Sequence, residues 1–240
     1  MDERASTDRA AALRREGLER IGERVEGCRA CPRLVEWRER IGREKRRSYL
    51  EEDYWARPVR GFGDPNARLL VLGLAPAAHG ANRTGRVFTG DRSGEWLYAA
   101  LFRAGLSSAP ESISRDDDLH LIDTFVTASV KCAPPANRPL PEEAATCMGF
   151  LLDEIRTLTR LEVILCLGSI GWDQGLRALA RLGIATPRPK PKFGHGSIAR
   201  VGELTLVGSY HPSQQNTFTG RLTRAMLDDV VATAKRLILE

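Results

Sequence analysis

No apolar run in this 240-residue chain approaches the roughly 20 residues that a membrane-crossing helix needs. That excludes a spanning helix as a reading of the sequence. Met1 to Arg20 is charged and has no apolar h-region, so no secretory leader is expected and a cytoplasmic location is. The motif G-x-x-x-x-G-K-[ST] is missing, which excludes a P-loop, and G-x-G-x-x-G is missing, which disfavours a dinucleotide fold. The H-x-E with P-C-x-x-C pattern of zinc-dependent base deaminases is also absent. There is no internal repeat and no linker that would cut the chain. A single domain over 1–240, with a charged helical segment at 1–65, is the simplest organisation and is long enough to bury a large core.

Cysteine is sparse but patterned. Of five cysteines, Cys166 lies in the apolar run Val163-Ile164-Leu165-Cys166-Leu167 and reads as a small buried hydrophobe. The other four form two pairs: Cys28 and Cys31 after an Arg/Glu-rich helical stretch, and Cys132 and Cys147, with fourteen residues between them, after an apolar strand. Thiols stay reduced in the cytoplasm, so this spacing points to a metal before it points to disulfides. Spacing alone allows either a structural zinc or an iron-sulfur cluster. The formal net charge of +5 and a pI of about 9.1 are compatible with a polyanionic partner.

Four apolar runs predict buried strands at 68–75, 121–130, 161–168 and 203–210. Helical patterns follow each of them at 95–104, 142–159, 170–182 and 222–239, with Pro141 well placed at a first helical position. Such alternation implies an α/β fold with a mostly parallel sheet covered on both faces. The Pro-rich basic stretch Thr186 to Lys192 reads as a surface loop leading into a short hairpin. Ligands bind open α/β sheets beyond the carboxyl ends of the strands. Three polar loops fall at that rim: Gly73 to Asp91 after the first strand, Lys131 to Arg138 after the second, and Tyr210 to Ser213 after the fourth.

Four segments are specific enough to carry a resemblance. They are Cys-x-x-Cys-Pro-Arg-Leu at 28–34; Gly-Leu-Ala-Pro-Ala-Ala-His-Gly with Asn-Arg-Thr-Gly-Arg-x-Phe-Thr-Gly-Asp at 73–91; Lys-Cys-Ala-Pro-Pro-x-Asn at 131–137; and Tyr-His-x-Ser-x-Gln-Asn-Thr-x-Thr-Gly-Arg-Leu-Thr at 210–223. From Cys28 to about Arg224 the chain resembles the uracil-DNA glycosylase superfamily, and within it the family 5 (type b) iron-sulfur enzymes. The resemblance implies a three-layer α/β/α sandwich around a four-stranded parallel sheet. It also implies removal of uracil, and of related deaminated bases such as hypoxanthine, from DNA by a monomer. A branch that cross-links to abasic DNA carries a Lys-Arg-Arg-Ile-His insertion that Thr89 to Ser93 lacks. The rival from another class is a non-catalytic iron-sulfur or zinc DNA-binding module on the same fold.

Under the resemblance, Phe88 stacks on an extruded base, with Gly73 and Ala75 in the substrate pocket. Asn137 pairs its amide with the O4 and N3–H edge of uracil. His211 donates to uracil O2 as charge builds on the leaving base. Asp91 positions water or stabilises a cationic sugar, and at the start of a helix it also serves as a cap. Arg83, Arg86, Ser213, Gln215, Asn216 and Arg221 are implied DNA contacts. Cys28, Cys31, Cys132 and Cys147 are the implied ligands of a [4Fe-4S] cluster, with zinc the alternative.

Overall fold

The computed structural model describes residues 3–239, with side chains from 8 onward; the outermost ends of the expected 1–240 domain span, 1–2 and 240, lie outside the described residues. In chain order the elements are α1 (Glu3–Glu26), α2 (Pro32–Glu44), β1 (Phe62–Gly63), β2 (Leu69–Gly73), α3 (Ala81–Thr84), α4 (Arg92–Arg103), β3 (Thr124–Ala128), α5 (Pro141–Thr157), β4 (Val163–Leu167), α6 (Gly168–Arg181), β5 (Ile198–Val201), β6 (Leu204–Ser209), α7 (Gln214–Phe218) and α8 (Arg224–Leu237).

β2, β3, β4 and β6 are the four apolar runs, and every residue in them is buried. A strand covered on both faces has no polar side to alternate with, which is why these runs are continuous. Period-two geometry still divides them. Leu69 and Val71 of β2 face one core with Leu97 and Leu101 of α4 and Val230 of α8. Leu70 and Leu72 face the other core with Leu151 of α5 and Trp172 of α6. A one-residue slip of β2 would exchange both sets, so packing on two sides pins the register.

The sheet corrects one expectation. It is mixed and six-stranded, in the order β1-β3-β2-β4-β6-β5. The inner four strands pair in parallel, while β1 runs antiparallel to β3 and β5 antiparallel to β6. The edge strands have no long apolar run: β1 has two residues, and β5, on a Gly202 turn, alternates exposed Ile198 and Arg200 with partly buried Ala199 and buried Val201. Short edges resist pairing with other chains, and they give little periodic signal.

From β2 the chain goes out to β3, then returns across β2 to β4 and β6. The order therefore reverses between β2 and β4, and the crevice at that switch point is where an α/β sheet takes ligands. The loops after β2, β3 and β6 converge on this rim. Among the described residues, no helix is long and apolar enough to cross a membrane.

Candidate active site

Phe88 stands at the bottom of the rim in an unusual backbone conformation. Its φ is 52°, in the left-handed region that bulky residues avoid. Such strain persists only where the surroundings impose it. Here Tyr98 Oη donates to the Val87 carbonyl at 2.9 Å, and Gly94 packs so closely on the Phe88 carbonyl that a Cβ there would stand 1.8 Å away. The result lays the Phe88 ring over the end of β2. A Cβ on Gly73 would lie 2.7 Å from the ring. The Phe88 and His211 rings stand 5.9 Å apart between centroids, tilted by 32°.

The Gly73 contact gives the first test. Gly73→Ala should push the Phe88 ring off its seat. The expected loss is about tenfold or more in kcat/KM on a base substrate, with an overpacking cost of about 1–3 kcal/mol. Steady-state kinetics and a thermal melt would show it; a variant with unchanged kcat/KM would separate Phe88 from the reaction.

His211 follows β6. Burial pushes its imidazole down to about 4, so the ring is neutral at physiological pH. Its loop is held from below by Asn216, whose Nδ2 donates to the His211 carbonyl at 2.9 Å. Gly168, at the start of α6 with φ 86°, passes beside it: a Cβ there would come 3.5 Å from that of His211. Ser213 caps α7, accepting from the Asn216 N–H.

Asp91 caps α4. It accepts from the Gly94 N–H at 3.1 Å. Burial raises its carboxyl above the usual carboxylate range, against the pull of the Gly94 and Ser93 N–H groups. Gly80 is what makes room for it, since a Cβ on Gly80 would stand 2.2 Å from an Asp91 carboxylate oxygen. Asp91 is thus a cap whose free oxygen is held against the loop after β2.

Asn137 ends a 3-10 turn, Pro135–Asn137, after β3. Ala136 and Asn137 both take positive φ, 52° and 55°. This exposes Asn137, and its side-chain amide makes no hydrogen bond among the described residues. The structure brings the Asn137 turn to the same rim without placing its amide on Phe88 or His211. β3's continuation is stitched to β2's by Ser129 N–H to the Gly73 carbonyl and Val130 N–H to the Leu74 carbonyl.

The implied DNA contacts divide. Gln215 and Arg221 are exposed, with the Arg221 guanidinium 4.6 Å above the Tyr210 ring. Phe218, on the outer face of α7, is 68% exposed. The α7 helix is braced from α4: Arg92 Nε donates to Thr217 Oγ1 at 3.2 Å, and its guanidinium lies 4.4 Å over Phe218. Arg86 is a correction. It is buried, pairs with Asp117, and donates to Ser112 Oγ and the Arg115 carbonyl, so it holds the 112–117 loop and has no face left for a phosphate. Arg83 is likewise spent on Glu52 and on the His79 and Gly90 carbonyls. Asn216 serves the His211 loop rather than solvent.

Three of the four patterned cysteines border the same part of the core. Cys31, Cys132 and Cys147 share one apolar cluster with Leu34, Val130 and Ala75. Cys132 lies within electrostatic reach of Cys147 and Cys28, and Cys147 of Cys28 and Cys31. Ala75, expected in the substrate pocket, packs toward the cysteines. Cys166 is fully buried in the core, as its run predicts. Beside the cysteines Arg38 is 2% exposed, and donates to Cys132 Sγ at 2.9 Å and to the Cys28 carbonyl at 3.3 Å.

The arrangement around Arg38 bears on what the thiols hold. A buried guanidinium needs a counter-charge, and its nearest carboxylate oxygen, on Glu39, is 4.0 Å away. Burial pushes the Cys132 thiol up to about 12 and raises Cys31 and Cys147 as well. With neutral thiols Arg38 would have only this distant Glu39 carboxylate. Thiolates bound to a metal would compensate it. The donor set therefore fits a thiophilic centre. Among the described residues no three His, Cys, Asp or Glu side chains converge closely enough to hold a single ion.

Comparison with known proteins agrees with the site. The family model described as "Uracil DNA glycosylase superfamily" matches residues 60–235. The chain belongs to the uracil-DNA glycosylase superfamily. It is 53% identical over 212 residues to a protein of Mycobacterium bovis named "Type-5 uracil-DNA glycosylase", covering 88% of this chain and 78% of the relative. A protein of the same name from Thermus thermophilus is 50% identical over 211 residues, covering 88% and 93%. A "Type-4 uracil-DNA glycosylase" of Thermotoga maritima is 28% identical over 219 residues, covering 90% and 93%.

Residues with no motif of their own also matter. Gly94, Arg38 and Arg92 shape the site through contacts between distant segments. In the sequence they are ordinary loop and helix residues.

Proposed function

We propose that this protein is a monofunctional DNA glycosylase that removes uracil, and related deaminated bases such as hypoxanthine, from DNA. The observation that carries it is the Phe88 ring, held by a strained backbone and seated on Gly73, facing the half-buried neutral imidazole of His211 at the carboxyl rim of the sheet. A pure binding surface would have no use for either device.

The extruded base stacks on Phe88, a flat apolar face that accepts any pyrimidine and most purines. Asn137 turns in to meet its O4 and N3–H edge; an exposed amide with no competing partner is free to do so. Water attacks C1′ of the sugar, and the N-glycosidic bond breaks with its electron pair going to the base. His211 donates a hydrogen bond to O2 of the departing anion, where the charge develops. Asp91 accepts the proton of the attacking water, and while ionised it stabilises the cationic sugar. Gln215, Phe218 and Arg221 face the duplex, and Phe218 is the apolar wedge that fills the gap left by the base. Water is the nucleophile because the lysine nearest the rim is committed: buried Lys131 donates to both Glu154 oxygens at 2.8 Å and to Thr127.

Cys28, Cys31, Cys132 and Cys147 would hold a [4Fe-4S] cluster, which lets thiolates stand farther apart than one zinc ion at about 2.3 Å from each sulfur allows. When bound, it supplies covalent links that fasten the α1–α2 junction to α5 and the loop bearing Asn137. Cys132→Ser should therefore cost folding before activity, lowering soluble yield and Tm. A stable, metal-free Cys132→Ser protein with wild-type turnover would contradict the structural role.

The function is tested with matched duplexes carrying uracil opposite guanine, uracil opposite adenine, or hypoxanthine opposite thymine, followed by alkali. Strand breaks that need the alkali step identify base release without lyase activity. Tight, salt-sensitive binding with no alkali-labile sites would favour the binding-module reading.

A further inference from the structure

His195 lies in the loop Gly194–Ser197, outside every motif that carries the family resemblance. Its Nδ1 accepts the backbone N–H of Tyr210 at 3.1 Å, and its ring stacks on the Tyr210 ring at 5.0 Å with an interplanar angle of 28°. Tyr210 is the residue before His211. The same loop is stitched to the end of β6, Gly196 N–H donating to the Gly208 carbonyl at 2.7 Å and Gly208 N–H to the Ser197 carbonyl at 2.8 Å. On the other side His195 meets the Met226 backbone and the field of Asp229, both on α8. The loop is held so close that a Cβ on Gly208 would stand 2.5 Å from the Gly194 carbonyl.

At Tyr210 the ladder of β6 has ended, and its N–H needs another acceptor. The imidazole supplies it only in the tautomer with Nδ1 unprotonated. Burial lowers the His195 pKa below the ordinary histidine value, which keeps that lone pair available at neutral pH.

We infer that His195 is a positioning residue for the glycosylase reaction: by accepting the Tyr210 N–H and stacking on Tyr210, it fixes the strand end from which His211 is presented to the leaving base. This rests on the role proposed for His211. His195 touches no substrate; it acts through the backbone one residue from His211. A misplacement of about 1 Å in a catalytic donor costs up to about a hundredfold.

The test uses the full chain with its cluster, and single-turnover uracil release from a uracil·guanine duplex. His195→Phe keeps a stacking ring and removes the acceptor. His195→Asn places an amide oxygen near the position of Nδ1. The expected result is a loss of about tenfold to a hundredfold for His195→Phe, with unchanged affinity for abasic duplex and most of the rate regained in His195→Asn. In a His211→Ala background, His195→Phe should cost nothing further. Equal losses in both backgrounds would overturn the inference, as would a Phe variant at the wild-type rate. Should His195→Phe fail to fold, the Asn variant decides: near-wild-type release there supports the acceptor role, and a loss as deep as that of His211→Ala contradicts it. A His211→Ala protein with full activity is a separate outcome that would remove the reading of His211 itself, and this inference with it.

Discussion

Asp91→Asn is expected to slow uracil release by roughly a hundredfold to ten-thousandfold while leaving Tm at pH 7 unchanged or raised. The two halves of this expectation separate the roles of the residue. As a helix cap, Asn serves as well as Asp, so the hydrogen bond from the Gly94 N–H survives. As a proton acceptor, an amide does nothing. Burial raises the folded-state pKa of Asp91 above its unfolded value, so holding the charge costs stability at neutral pH, and removing it returns that cost. Asp91→Ala, by contrast, should also lose about 1 kcal/mol of capping. The raised pKa sets a pH dependence as well. The reaction needs the carboxylate, so kcat/KM should fall as pH drops through a value above the usual carboxylate range, and this acid limb should be missing from the Asp91→Asn profile. An Asn variant with wild-type turnover would reduce Asp91 to a cap.

His211→Ala should reduce kcat by roughly a hundredfold to a thousandfold, the usual cost of removing a single donor aimed at developing charge. The affinity for abasic duplex should change little, because the donor meets its strongest partner only as the bond breaks. The histidine is neutral well below its ordinary pKa, with burial pushing it down to about 4. It should therefore contribute no inflection near pH 6.5 to the rate profile. The stability linkage has the matching sign. A histidine whose folded pKa lies below its unfolded value keeps the fold's stability undiminished above the unfolded value and erodes it as pH falls below about 6.5. Acid melts of wild type and His211→Ala should diverge in that window, the wild type losing stability faster.

The parallel core was legible because strands buried on both faces are largely apolar, so β2, β3, β4 and β6 appear as short apolar runs with few polar interruptions. The two edge strands were not legible: one has two residues, and the other is half-exposed. The rim residues Phe88, Asp91, Asn137 and His211 stood out because they lie in specific motifs in the loops that follow the strands. Arg86 was assigned to a phosphate because an arginine in a glycine-rich loop gives no sign of whether Asp117, thirty-one residues on, will pair with it. Arg38 was invisible for the same reason in reverse. It looks like one of many arginines on a charged helix, yet it is buried against Cys132. Long-range ion pairs and close glycine contacts are properties of the folded chain, and local patterns do not encode them.

The central claim is that the rim formed by Phe88, Asp91 and His211 hydrolyses the bond between a deaminated base and DNA. The most direct measurement is single-turnover appearance of free uracil from a uracil·guanine duplex, using wild type, Asp91→Asn and His211→Ala proteins matched for metal content and for affinity to abasic duplex. Free uracil and an alkali-labile strand are expected from wild type, with both variants slower by at least about a hundredfold. Duplex binding by wild type without free uracil, or equal release by all three proteins, would contradict the claim.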